Sequence, residues 1–298
     1  MDKIIECVER NGERWVGIVE LTEGSERLRK INHLKDSQQL GELYIKSHLK
    51  WPEFKETLGC SPITSESWFT ASYRIPLKPV QDVHCMVSGF GYTHRLVNGT
   101  AAAEHASPDW YYKGNGKGLI TQLQSIKSPY HASGAGIEIE YACVYVIDAG
   151  ASPHYMGYTL AVDFSDPVLR HSHPSLAGLS KLRNTAVSHE LVMAEPPPYS
   201  IVQGSVVRQG KVVWEKHSRL GLDQLLFAKT ELEELLFRHD ELCEPGMVHY
   251  VLLGASLSTD RDGFELQHGD IIQALSERDG LLVSNRFEDD AVRLSCNC

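Results

Sequence analysis

The segment from Gly136 to Ile147 constrains this chain most. It reads Gly-Ile-Glu-Ile-Glu-Tyr-Ala-Cys-Val-Tyr-Val-Ile, apolar at nearly every position from Tyr141 onward. That run is far shorter than the roughly 18 residues of a membrane span and has the length of a strand buried on both faces. Residues two apart in a strand share a face, so Glu138 and Glu140 project side by side. Neighbouring carboxylates repel, and burying them is costly unless a cation neutralises them. Spacing alone also allows a solvated strand edge. The next strand-like run, Met-Gly-Tyr-Thr-Leu-Ala-Val-Asp, ends on Asp163. A hairpin centred between Ala151 and Ser152 predicts Glu140 opposite Asp163 on the same face, and a slip of one residue would move Asp163 to the other. Three carboxylates without cysteine or histidine favour a hard cation. Magnesium fits best, with manganese and calcium as alternatives.

The 298 residues allow one large domain, or a large one with a small companion. Apolar residues make up 42% and charged residues 23%, a globular balance, and the formal charge is −10. That acidity argues against a nucleic-acid partner, which calls for a basic face, but not against a small anionic substrate. The N-terminus mixes charges and has no signal-like apolar run, and no segment is long enough to span a membrane. A cytoplasmic protein is expected. Seven cysteines, at Cys7, Cys60, Cys85, Cys143, Cys243, Cys296 and Cys298, are scattered and odd in number, unlike a disulfide framework. The Cys296-x-Cys298 tail has no second pair to make a zinc site.

Early on, a strand pattern covers Trp15–Leu21, helical stretches run through Leu34–Leu49, and polar turns follow around Gly59–Ser67. Ile-Pro-Leu-Lys-Pro-Val (75–80) reads as a linker. Beyond it come many short strand-like runs, and one clear helical pattern predicts a helix over Asp223–Phe237. The expected fold class is α+β, with a small N-terminal α/β domain (1–78) beside a rolled or barrel-like mixed β domain (79–298).

The acidic segments carry a family likeness. Glu-Ile-Glu-Tyr-Ala-Cys-Val followed by Gly-Tyr-Thr-Leu-Ala-Val-Asp-Phe-Ser-Asp resembles the Glu-x-Glu … Asp metal signature of the fumarylacetoacetate hydrolase superfamily. Val-Ser-Gly-Phe-Gly-Tyr-Thr-His (87–94) is similar to the entry of its active-site lid, and Pro-Asp-Trp-Tyr-Tyr-Lys-Gly (108–114) to its Pro-Glu-x-Phe-x-Lys run. Leu-Ser-Lys-Leu-Arg (179–183) resembles its lysine segment, and Pro-Gly-Met-Val-His through Gln-His-Gly-Asp-Ile-Ile (245–272) its C-terminal strands. The tone is nearest the branch linked to arabonate-type sugar-acid breakdown. The resemblance implies a rolled mixed β fold, a homodimer, a magnesium ion on Glu138, Glu140 and Asp163, and chemistry on a small anionic 2-oxo or 2,4-dioxo acid. The lid departs from the hydrolytic pattern: His94 comes early and Arg95 stands where a histidine belongs. Gly254-Ala255-Ser256 replaces a Gly-Thr, leaving Ser256 to supply the substrate-binding hydroxyl.

Within that likeness, the metal would stabilise the enolate formed when a bond at C3 breaks. His94 is the acid/base candidate, with Glu104 to orient it. Lys181 would bring positive charge to the carboxylates, a Schiff base being the sharper alternative. Tyr92 and Lys113 would meet the substrate. His171 and His173 sit between prolines in a segment read as a loop rather than a metal site. Gly-Asn-Gly-Lys-Gly (114–118) lacks the spacing of a phosphate loop and reads as a turn. Three functions follow: C–C hydrolysis of a 2,4-dioxo acid first, dehydration of a 2-oxo-3-deoxy sugar acid second, and a binding protein that keeps the fold without catalysis third.

Overall fold

The apolar run ending at Ile147 lies in the middle of a fourteen-stranded sheet. The computed structural model describes residues 1–22, 25–63, 72–101 and 107–291. In chain order the strands that matter for the site are β1 (Asp2–Val8), β2 (Arg14–Thr22), β3 (Ser25–Ile31), β4 (Cys85–Gly91), β5 (Asp109–Asn115), β6 (Gly136–Ile147), β7 (Pro153–Ser165), β8 (Glu190–Val192) and β9 (Val248–Leu252). Across the sheet the order is Cys60–Pro62, β3, β2, β1, β8, β7, β6, β9, β4, β5. The β9–β4 pair is parallel, and β6 and β7 form a long antiparallel hairpin. A second, five-stranded sheet includes Ser200–Arg208, Ile271–Ser276 and Leu282–Asp289.

The β6 alternation explains this layering. Ile137, Ile139, Tyr141 and Cys143 pack with Val202, Val206, Ile272 and Val283 of the second sheet. Each fully buried aliphatic side chain there contributes roughly 1.5–3 kcal/mol of transfer free energy. Ala142 and Val144 face the other way, into a cluster with Ile4, Val87, Leu252 and Tyr111. Glu138 and Glu140 continue that second face.

Helices are few. Helix α1 (Ser37–Ser47) starts where the Asp36 carboxylate accepts the Gln39 N–H at 2.9 Å, and α2 (Trp51–Thr57) carries a proline in its first turn. Leu40, Trp51 and Phe54 from these helices join the cluster around Ala142, and β1 pairs with β8. Residues 1–78 therefore continue the main sheet, with a small cluster of their own around Ile5, Trp15 and Leu28.

Two expectations need correction. Helix α3 (Pro167–Ser172) holds His171, where a loop was expected. Pro167 suits a first helical turn, and Asp166 caps it by accepting the Leu169 N–H at 3.0 Å. After α4 (Ala177–Lys181), the helix expected over Asp223–Phe237 is a 3-10 turn, Leu222–Gln224, and then α5 (Lys229–Phe237). Between them Leu225 and Ala228 are extended, because Leu226 N–H donates to Thr93 O at 2.7 Å and Leu225 bridges His94. Tertiary contacts override the helical pattern there. All described cysteines are free thiols, whereas Cys296 and Cys298 lie outside the described residues. No described helix is long and apolar enough to cross a membrane.

Candidate metal centre

The β6–β7 hairpin turns on Asp148, whose carboxylate accepts the N–H groups of Gly150 and Ser152 at 2.8 and 2.9 Å. Pairing starts at Ile147↔Pro153 and Tyr145↔Tyr155, then shifts to Val144↔Gly157, leaving Met156 as a bulge. Glu138 therefore lies opposite Asp163 and Glu140 opposite Ala161. The expected Glu140–Asp163 pairing was two residues out, because the turn is tighter and the bulge is absent from a simple hairpin count. The shared face survives through the bulge. Unbulged, the pairing at Tyr145↔Tyr155 would carry Asp163 opposite Ile137, on the second-sheet face. Gly157 makes this possible with φ +151°, and a Cβ there would fall 2.1 Å from Val192 O.

Glu138, Glu140 and Asp163 each offer an oxygen within 4.8 Å of the others. Glu140 and Asp163 are fully buried, while Glu138 is half-buried. One Glu140 oxygen, Oε2, accepts the Gly254 N–H at 2.5 Å; the other, Oε1, is buried without a partner. Gly254 can approach because it lacks a Cβ, which would meet Thr93 Oγ1 at 1.8 Å, and because φ there is +102°. An orphaned carboxylate oxygen beside two more carboxylates is what a hard divalent cation satisfies, and the all-oxygen donor set suits magnesium.

Two lysines balance this charge. Lys181, from α4, donates to Glu138 Oε2 and, at 2.8 Å, to Asp163 Oδ2, with its ammonium 4.7 Å from the centre of the Tyr111 ring. Lys113, from β5, sits 2.7 Å from Asp163 Oδ1 and donates to the carbonyls of Phe164 and, at 3.0 Å, Lys181. Tyr111 OH donates to Asp163 Oδ2 at 2.9 Å. Burial works against charge on Asp163, but Lys113 and Lys181 outweigh it and hold the carboxyl below its usual range. Burial, then the Asp163 charge, pushes Glu140 well above its range. Burial also opposes the Lys181 charge, yet Asp163 and Glu138 raise it above the ordinary lysine value. For Lys113 burial wins and lowers it to about 8.

No protein-family model matches the sequence, and no curated protein matches it. Solved structures do. The chain superposes on 2-keto-3-deoxy-D-arabinonate dehydratase with a TM-score of 0.71 at 16% identity, over 96% of this chain and 99% of that one. The same enzyme complexed with magnesium and 2,5-dioxopentanoate gives 0.70 at 16% identity, with the same coverage. A 5-carboxymethyl-2-hydroxymuconate delta-isomerase from Mycobacterium smegmatis gives 0.63 at 15% identity, over 96% and 99%. The chain has the fumarylacetoacetate hydrolase fold. At these identities the likeness is one of architecture.

Within this fold the remaining expected residues are scattered around the hairpin. Tyr92 lies half-exposed just past β4, in left-handed backbone at φ +57°. His94 is 2% exposed, and neither ring nitrogen has a partner among the described residues; burial lowers it to about 4. Its segment is tied down, with Arg95 N–H donating to Gln224 O at 2.8 Å and Asn98 N–H to Ser256 O at 2.9 Å. Glu104 lies outside the described residues. Ser256 is buried on the segment beside β6, its hydroxyl without a partner. Sequence reasoning missed Tyr111, Gly254 and Arg170, whose Nη1 lies 3.8 Å from Glu138 Oε1. Tyr111 shares a strand face with Lys113, a signal that was available. Arg170 gave none, because its segment was read as a loop.

Proposed function

We propose that this chain is a magnesium-dependent enzyme acting on a small anionic 2-oxo acid. The observation that carries the reading is the trio Glu138, Glu140 and Asp163, drawn from adjacent strands onto one buried face, with Glu140 Oε1 unpartnered. These three residues would hold the ion, which when bound supplies Lewis acidity toward a carboxylate and its neighbouring keto oxygen. Lys181, kept as an ammonium by Asp163 and Glu138, is placed to donate to an oxygen that gains charge as a bond at C3 breaks. Its ion pairs with Asp163 and Glu138 support electrostatic help rather than a Schiff base, which starts from the neutral amine. Lys113 braces Asp163 and α4, and Ser256 offers its unpartnered hydroxyl to the substrate carboxylate.

C–C hydrolysis of a 2,4-dioxo acid is the leading reaction, with His94 as the base. Dehydration of a 2-oxo-3-deoxy sugar acid is the second, favoured by the architectural likeness to a sugar-acid dehydratase. We also infer residues 1–78 as a small N-terminal domain, and a homodimer, which sedimentation would check. Titration calorimetry of wild type and Glu138→Gln with magnesium tests the site: unchanged binding in the variant would sink it. Product analysis on dioxo and deoxy acids separates the reactions. Water added across a cleaved C–C bond means hydrolysis, and a lost hydroxyl with an intact chain means dehydration. Metal binding without turnover leaves a binding protein.

A further inference from the structure

Glu140 is held differently from its two neighbours. Glu138 and Asp163 accept hydrogen bonds from Lys181, and Asp163 another from Tyr111. Among the described residues Glu140 accepts one, from the Gly254 N–H. That donor has left the sheet. Leu253 N–H donates to Tyr141 O at 3.0 Å and Ser256 N–H to Ile139 O at 3.1 Å, so the chain follows β6 on either side. Between them Gly254, at φ +102°, turns its N–H to the Glu140 side chain instead.

The carbonyl of the same peptide group is engaged too. Leu253 O accepts the Thr93 hydroxyl at 2.5 Å. A peptide group is rigid and planar, so its carbonyl and its N–H cannot turn independently. A hydrogen bond at the oxygen also polarises the group and strengthens its N–H as a donor. Thr93 is 1% exposed, and its Oγ1 fills the space that a Cβ on Gly254 would need. Its own carbonyl accepts Leu226 N–H at 2.7 Å, and the next residue, His94, bridges Leu225. One hydroxyl thus joins the segment that carries His94 to the carboxylate of Glu140, through a single peptide group.

We propose that Thr93 is a positioning residue for Glu140: through the Leu253–Gly254 peptide it fixes the carboxylate with Oε1 left free as a ligand, and so couples metal affinity to the seating of residues 93–98. Reciprocity then requires the ion to hold that segment in place. The inference rests on the magnesium reading. It is tested by calorimetric titration with magnesium chloride, beside melting of each variant in chelator. Thr93→Val keeps the shape and removes the hydroxyl, and should weaken magnesium binding about threefold to tenfold. Thr93→Ser restores the donor and should bind within about twofold of wild type. A merely structural threonine would lower the melting temperature of Thr93→Val in chelator and leave its magnesium affinity unchanged. That result overturns the proposal, and so does a Thr93→Ser that binds no better than Thr93→Val. In wild type, hydrogen exchange by local opening at Leu226, whose N–H donates to Thr93 O, should slow when magnesium is added. Unchanged exchange there overturns the coupling even if Thr93→Val does not fold. If wild type binds no magnesium, the metal reading falls and this one with it; normal binding by wild type and Thr93→Val alike overturns this inference alone.

Discussion

Replacing Gly157 with alanine probes the backbone feature that sets the register of the carboxylate face. The new Cβ would sit 2.1 Å from Val192 O and 3.1 Å from Val192 C. Both are main-chain atoms of the neighbouring strand, so no side-chain rotation relieves the clash. The residue would also hold φ near +151°, a region essentially reserved for glycine and worth about 1–3 kcal/mol of strain. Adding displacement of β8, where Tyr158 pairs with Val192, brings the cost to about 3 kcal/mol or more. At roughly 2–4 °C per kcal/mol for a large domain, the melting temperature should fall by about 6–12 °C. Gly178→Ala, where a Cβ meets nothing within 4 Å, is the control and should leave stability unchanged or slightly raised. Magnesium titration on folded Gly157→Ala at low temperature should also show weakened binding, because strain on the bulge is strain on the Asp163 register. If Gly157→Ala melts within 2 °C of wild type and binds magnesium normally, the reasoning that ties bulge to site is wrong.

Lys113→Met removes one buried partner of Asp163. It should cost about 3 kcal/mol in chelator, and magnesium should recover part of it, which melting with and without the ion would show. Tyr111→Phe deletes one hydrogen bond to the same carboxylate and should cost only about 1 kcal/mol in denaturant titration. Burial, joined at His189 by Lys3, lowers His94, His189 and His249 from 6.5 to about 4. The unfolded chain then binds protons below about pH 6.5 that the fold excludes until about pH 4. The stability of these neutral rings is complete above that window and lost as pH falls through it. Calorimetry from pH 7 to 4.5 should show proton uptake on unfolding that His249→Phe reduces by about one.

Period and face were readable in the sequence because each follows from one strand at a time. Glu138 and Glu140 share a face for the reason their spacing suggested, while Asp163 joins them only through the bulge. Their pairing was not readable, since the extra residue at Met156 leaves no mark except the glycine after it. The burial of His94 was likewise hidden, because its cover comes from Leu225, more than a hundred residues on. That same contact stops the leucine-rich pattern at Asp223 from becoming one helix. Arg170 escaped because two prolines made its segment look irregular, whereas Pro167 begins a helix that Asp166 caps.

All three carboxylates come from one hairpin, and the lysine that spans two of them follows within twenty residues. The groups around them come from elsewhere in the chain: Tyr92 after β4, Arg170 on α3, Ser256 and Asp260 beyond β9. The carboxylate trio is thus carried on one short stretch of chain, while its surroundings are assembled from distant ones. Mutation can redraw the second without disturbing the first. A protein built this way can change the surroundings of its acidic cluster long before it loses the cluster itself.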